Sequence, residues 1–77
     1  MKTYYVDCLN LQVWLKVSTW LGQEIGDDSQ FGFLQNVPYG IWFNGDIGRV
    51  EALAKYMLRD LKIRAEIFDG EGNLVTT

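Results

Sequence analysis

The chain has 77 residues, of which 48% are hydrophobic and 14% aromatic, and its formal net charge at pH 7 is −3. This length predicts a single domain, residues 1–77, and the apolar content excludes an intrinsically disordered chain. There is no histidine and one cysteine, Cys8, which excludes histidine catalysis, histidine–metal ligation and an internal disulfide.

The first twenty residues predict two β-strands. Residues 3–8 alternate apolar and polar side chains, and the apolar parity then changes, which requires a turn or bulge at Asn10. We therefore predict strands at about 3–8 and 11–20, joined either as a tight hairpin or as one bulged ribbon. A helix over residues 11–21 is the rival interpretation, but the β-branched residues of this segment favour a strand.

Two tryptophans, Trp14 and Trp20, lie on the face of the predicted second strand that is opposite its aliphatic residues. Two such rings on a nominally polar face indicate either that a second layer covers them or that they form an exposed aromatic patch. We expect the covering layer.

The middle of the chain predicts a loop and two further strands. Residues 22–30 contain two glycines and are polar, which is typical of a solvated loop. The acidic residues of this loop are Glu24, Asp27 and Asp28. Strands follow at 31–34 and 39–43, with a turn between them at 36–38.

Residues 45–60 predict a helix that begins after an N-cap at Asp46. Apolar residues recur at steps of three and four and form a stripe that has to be buried. They are Ile47, Val50, Ala54, Met57, Leu58 and Leu61. On the opposite face, Tyr56 lies among basic residues, where it either covers a neighbouring loop or contacts a partner.

After the helix, residues 61–68 alternate and predict a half-buried strand whose solvent face includes Phe68. Residues 69–73 predict a hairpin turn, and residues 74–77 a short edge strand. The predicted fold class is α+β, with an antiparallel sheet of four to six strands and one helix packed on one face.

The residues that could carry chemistry do not form a site. Cys8 lies within a strand pattern, where we expect it to be buried and inert, and it has no base beside it. Asp27 and Asp28 lack the further oxygens that a cation site needs, and residues 69–73 lack the glycine and the closing glutamate of a calcium loop. We therefore expect no enzyme activity, no metal and no cofactor.

The charges are distributed unevenly along the chain. Residues 17–48 contain four acidic residues and no lysine or arginine, whereas residues 49–64 contain five of the seven basic residues. Because nucleic-acid binders show a basic excess, direct binding to DNA or RNA is disfavoured. We expect a cytoplasmic protein that does not bind a membrane, since one cysteine suits a reducing compartment and no apolar run has the length of a membrane span.

These features favour a protein-binding module that occupies a basic surface of a larger protein or nucleoprotein complex. Its predicted partner-binding residues are Trp20, Glu24, Asp27, Asp28, Tyr56, Asp69 and Glu71. In its size and in the acidic and aromatic stretch 20–28, the chain resembles the small phage-encoded inhibitors of bacterial defence, the anti-CRISPR and antirestriction proteins. The resemblance implies a cytoplasmic inhibitor, in some cases a DNA mimic, that blocks target-DNA binding by a nucleoprotein complex.

Two other functions remain open. The chain could be a structural or regulatory subunit, such as a homodimer, that associates through Trp14, Trp20 and Tyr56 or through the edge strand at 74–77. It could also bind nucleic acid directly through the basic residues on and after the helix, which are Arg49, Lys55, Arg59, Lys62 and Arg64.

Overall fold

The computed structural model describes residues 2–76. Its elements in chain order are β1 (Lys2–Asp7), α1 (Leu11–Ile25), a 3-10 turn (Asp28–Gln30), β2 (Phe31–Phe33), β3 (Gly40–Gly45), α2 (Ile47–Asp60) and β4 (Glu66–Phe68). The four strands form one antiparallel sheet in the order β2–β3–β1–β4. The predicted fold class is confirmed, since the protein is α+β with an antiparallel sheet and a helix packed on one face.

The predicted strand at residues 11–20 is wrong, because this segment belongs to helix α1. Asn10 has an extended backbone, and its side-chain oxygen accepts the N–H of Val13 at 3.0 Å, so it caps the helix. Val13, Val17 and Leu21 are four residues apart and all buried. This spacing places them on one helical face, and their burial outweighs the small intrinsic preference of valine for strands.

Helix α1 also takes up the first part of the predicted loop at residues 22–30. It ends before Gly26, whose φ of 70° is left-handed and whose N–H donates to the carbonyl of Gly22. Glu24 is therefore a helical residue and not a loop residue. Only the part from Gly26 to the 3-10 turn is irregular.

Helix α2 and its N-cap at Asp46 are confirmed, but its predicted buried stripe is only partly right. Val50 and Met57 are buried as expected, and Leu53, which the stripe did not include, is also fully buried. Ile47 and Leu58 remain 53% and 61% exposed. The helix faces the core along a different line because it shares that core with α1 as well as with the sheet.

The C-terminal segment is less regular than its alternation predicts. Lys62 has a φ of 59°, and the N–H of Ile63 donates to the carbonyl of Met57, so the chain is still closing helix α2 there. The strand predicted at 61–68 is therefore reduced to β4. The predicted turn at 69–73 is confirmed, since the N–H of Asp69 donates to the carbonyl of Asn73.

The predicted edge strand at 74–77 is reduced in the described residues to a single bridge. Leu74 pairs with Phe68 there, and the N–H of Val75 donates to the carbonyl of Ile67. The last residue of this prediction, Thr77, lies outside the described residues.

Both helices lie on the same face of the sheet, where the buried side chains form one cluster. Tyr4 and Val6 of β1, Ile41 and Phe43 of β3 and Ile67 of β4 supply the sheet side of this core. The two tryptophans lie on α1 rather than on a strand face, and each is half-buried against the core. Neither helix in residues 2–76 has the length and apolarity needed to cross a membrane.

Candidate functional site

Antiparallel pairing brings several chain segments together at one end of the sheet. The register places Lys2 opposite Gly45, so β1 begins where β3 ends, and β2 begins and β4 ends at the same side. Helix α2 starts there too, directly after β3. We call this side the acidic end, because it carries six of the ten acidic residues. They are Glu24, Asp27, Asp28, Asp46, Asp69 and Glu71.

Side-chain contacts show that helix α1 also runs towards the acidic end. Near its start, the ring of Trp14 lies 4.2 Å from that of Phe33, at the far end of β2. Near its other end, a Cβ added to Gly22 would lie 3.5 Å from the ring of Phe31, where β2 begins. Glu24 therefore belongs to the acidic end, although it is helical.

The strand order sets how far apart the acidic residues lie. Asp27 and Asp28 precede β2, Asp46 follows β3, and Asp69 and Glu71 follow β4. Neighbouring strands are about 4.8 Å apart, so the acidic residues beside β2 and β4 are separated by three spacings, or roughly 14 Å. The carboxylates thus form a row along one side of the molecule and not a compact cluster.

Asp27 holds the start of the 3-10 turn through its side chain. Its carboxylate accepts hydrogen bonds from the backbone N–H of Ser29 at 2.9 Å and from the Ser29 hydroxyl at 2.8 Å. These bonds stabilise the ionised form and lower the pKa of Asp27. Asp27 is therefore a charged surface group that also has a structural role.

Asp69 has the same double role in the turn after β4. Its carboxylate accepts the backbone N–H groups of Asn73 at 3.0 Å and of Glu71 at 2.9 Å. The bond from Asn73 lowers the pKa of Asp69 most, and the bond from Glu71 and the charge of Lys2 lower it further. Lys2 lines the same surface depression as Asp69 and Glu71. Arg49, in the first turn of α2, donates from its guanidinium to the carbonyl of Asn44 at 3.1 Å, so two cations interrupt the acidic row.

The predicted aromatic partner residues, Trp20 and Tyr56, lie apart from the loop carboxylates. Their rings stack on each other between α1 and α2, with centroids 5.5 Å apart and planes 16° apart. They line a surface groove of about 390 Å³ together with residues of α2 that include Lys55 and Arg59. The predicted binding set is thus divided between the acidic end and the outer side of the helical layer.

No group of three or more His, Cys, Asp or Glu side chains is placed to hold a metal ion within residues 2–76. Cys8 is fully buried, as predicted, and burial raises the pKa of its thiol to about 12, with Asp7 acting in the same direction.

A second group of surface aromatics was missed as a possible site in the sequence. Tyr5, Trp42 and Phe68 occupy directly opposed positions on three adjacent strands. Each follows or precedes a core residue, so each falls on the solvent face of its strand. The sequence contains a signal for this group, because all three residues alternate with buried residues along their strands. Only the pairing register shows that they form one row across the sheet.

Comparisons with protein-family models, with curated proteins and with solved structures find no match for this chain.

Proposed function

We propose that the protein is a non-enzymatic binding module of the cytoplasm that places its acidic end on a basic surface of a larger protein or nucleoprotein complex. The observation that carries the proposal is the topology, which collects acidic residues from three separate parts of the sequence at one end of the sheet. Carboxylates displayed in a row attract a basic groove and can take the place of nucleic-acid phosphates.

The geometry supports this function in two further ways. The hydrogen bonds to Asp27 and Asp69 keep these groups ionised and hold their loops in place. A charged surface that is ordered before binding loses less conformational entropy when a partner docks. The resemblance to phage-encoded defence inhibitors supplies one class of partner, a DNA-binding complex of bacterial defence, and this partner class stays a prediction.

The test uses charge reversal at acidic residues that do not hold a turn. Asp27 and Asp69 are unsuitable because their replacement would also disrupt local structure. The variant Asp28→Lys/Glu71→Lys instead changes one exposed residue beside each outer strand. We expect it to lose at least about tenfold in affinity for the partner, since each reversal turns an attraction into a repulsion.

The partner is first isolated by capture on the immobilised protein from a nuclease-treated bacterial lysate, and its affinity is then titrated at rising salt. The matched control is Glu51→Lys/Asp60→Lys, which changes the net charge equally on helix α2. Binding that weakens with salt and is lost only in the acidic-end variant supports the proposal. Equal loss in both variants, or binding that salt does not affect, contradicts it.

One observation favours a second candidate, direct binding of nucleic acid by the groove around Trp20 and Tyr56. Lys55 and Arg59 line this groove beside the two stacked rings, together with Glu51 and Asp60, and aromatic rings with nearby cations are typical of single-strand binding. Retardation of single-stranded DNA or RNA at low salt, abolished by Lys55→Glu/Arg59→Glu, would support this function in place of the acidic-end proposal.

A further inference from the structure

One face of the sheet has no layer packed on it in the part of the chain that the structure describes. Both helices pack on the other face, over the core. The side chains that point away from the core come from the alternate positions of each strand. Tyr5, Trp42 and Phe68 are among them, and none of the three packs against the core cluster. We call this surface the open face.

An apolar row crosses the open face from one edge to the other. Trp42 lies opposite Gly32 on one side and Tyr5 on the other, and Tyr5 lies opposite Phe68. Leu74 continues the row through its bridge to Phe68, and its side chain is 55% exposed. Four apolar side chains thus occupy successive cross-strand positions.

The position of the Trp42 ring depends on a glycine in the neighbouring strand. A Cβ added to Gly32 would lie 2.8 Å from Nε1 of Trp42, closer than such contacts occur in proteins. The indole therefore lies over the backbone of β2, in a place that only glycine leaves free. The indole thus extends the row across β2.

Two carboxylates stand beside this row. Asp7 lies opposite Glu66 on β1 and β4, and both point to the open face because each is two residues along its strand from Tyr5 or Phe68. Like charges in directly opposed positions destabilise a sheet. The backbone positions of these four residues form a rectangle with sides of roughly 5 and 7 Å, in which two aromatic residues adjoin two acidic residues.

The residues on the other side of the row are polar, and their side chains hydrogen-bond to one another. The hydroxyl of Thr3 donates to the side-chain oxygen of Asn44 at 2.6 Å, and the Asn44 amide donates to the side chain of Gln30 at 3.0 Å. Among the open-face positions of residues 2–7, 31–33, 40–45 and 66–68, none holds a lysine or arginine. The charged residues at these strand positions are therefore Asp7 and Glu66, while Lys2, Asp69 and Glu71 adjoin the face beside Thr3, at the acidic end.

We propose that the open face binds an extended, arginine-bearing segment of a protein partner. A guanidinium group is planar, stacks on aromatic rings and pairs with carboxylates through two parallel hydrogen bonds. The rectangle formed by Tyr5, Phe68, Asp7 and Glu66 offers both kinds of contact within the reach of one arginine. The inference goes beyond the function proposed above, because the open face and the acidic end are different surfaces.

The negative charge of the open face favours an arginine-bearing segment over nucleic acid, and the aromatic rings favour arginine over lysine. Nucleic acid stacks on aromatic rows of this kind, but its phosphates would approach two carboxylates with no cation at the strand positions beside them. A lysine would satisfy the carboxylates but would not stack as a planar group. An arginine side chain is favoured by the rings and by the acids together.

The test is a titration of the ¹⁵N-labelled protein with a capped heptapeptide of alternating serine and arginine, followed by amide chemical shifts. We expect shifts on β1, β3 and β4, weaker binding of the matching lysine peptide, and no binding of the glutamate peptide. The variant Asp7→Asn/Glu66→Gln should bind the arginine peptide roughly tenfold or more weakly, since it removes two charge-assisted contacts.

The control Glu51→Gln/Asp60→Asn makes the same change in net charge away from the open face, and its affinity should stay within about twofold of the unmodified protein. Three results overturn the proposal: equal weakening in this control, shifts confined to the acidic end, or a homodimer whose interface covers the open face. Tighter binding of a single-stranded oligonucleotide to the face would also overturn it. The acidic-end variant Asp28→Lys/Glu71→Lys keeps the open face intact, so it should still bind the arginine peptide. Peptide binding by this variant therefore tests the open face independently of the acidic-end proposal.

Discussion

At the scale of single residues, Cys8 shows how a core position decides reactivity. It follows β1, its N–H donates to the carbonyl of Tyr39, and its side chain is fully buried. Burial first, and the neighbouring charge of Asp7 second, raise the pKa of the thiol from 9.0 to about 12. The thiolate is the nucleophile of cysteine chemistry, so the expected inertness has a physical cause.

We expect Cys8 of the native protein to resist iodoacetamide at pH 8 and to react fully in denaturant. The unfolded chain loses the thiol proton before the folded chain does, so this group makes the unfolding free energy fall as pH rises from about 9 to 12, by up to ~1.4 kcal/mol per pH unit. Denaturation of the protein and of Cys8→Ala at pH 8 and pH 10 measures the effect. A native thiol that reacts as fast as the denatured one contradicts the prediction.

At the scale of elements, helix α1 shows where a pattern in the sequence was ambiguous. The apolar residues from Leu11 to Val17 recur at every second position, which indicates a strand. The same spacing also places Leu15 four residues after Leu11 and Val17 four residues after Val13, as on a helix. In the structure Val13 and Val17 are buried while Leu11 and Leu15 are each 50% exposed. Asn10, which was interpreted as a turn or bulge, caps the helix, and Leu21 continues the four-residue spacing of the buried residues.

Helix α2 was predicted correctly in type and in its N-cap because its signals are local. Asp46 accepts the backbone N–H of Arg49 at 3.0 Å, and such a capping bond needs no information from distant residues. The buried side of α2 could be predicted only approximately. Which residues face inwards depends on where α1 and the sheet lie, and the stripe drawn from the sequence omitted Leu53 and included Leu58.

This difference gives a matched pair of substitutions on α2. Leu53→Ala should lower the unfolding free energy by about 2–5 kcal/mol, because it leaves a cavity in a fully buried site. Leu58→Ala removes the same atoms from a side chain that is 61% exposed, and its effect should stay within ~0.5 kcal/mol. Urea denaturation of the two variants measures both values. A larger loss from Leu58→Ala than from Leu53→Ala would show that the helix faces the core along the stripe predicted from the sequence.

At the scale of the whole molecule, the fold separates most of the acidic loop residues from the basic residues at the end of helix α2, although Lys2 and Arg49 lie at the acidic end. The acidic end collects Asp27, Asp28, Asp69 and Glu71 at one side of the sheet. The basic residues that close and follow helix α2, Arg59, Lys62 and Arg64, lie towards the other side. The uneven charge of the sequence indicated such a separation, but the joining of the acidic segments at residues 27–28 and 69–71 depends on the antiparallel strand order β2–β3–β1–β4.

The acidic end should keep its charge at mildly acidic pH. The hydrogen bonds lower the pKa values of Asp27 and Asp69 in the folded protein, so the stability they contribute is present above the unfolded pKa and is lost as the pH falls through the folded values. Carboxyl ¹³C titration by NMR measures both pKa values. Ser29→Ala removes one bond to Asp27 and should raise the pKa of Asp27 while that of Asp69 stays unchanged; an unmoved Asp27 would contradict this cause.

The amino-acid sequence by itself determined the features that depend on neighbouring residues. These are the α+β class, helix α2 with its cap, the turn at residues 69–73, the burial of Cys8 and the acidity of the loops. Tertiary structure decided the identity of α1, the inward side of α2, the row of Tyr5, Trp42 and Phe68, and the joining of the acidic segments. The reason is that periodicity and capping act within a few residues, whereas burial and strand register are set by segments distant in the chain.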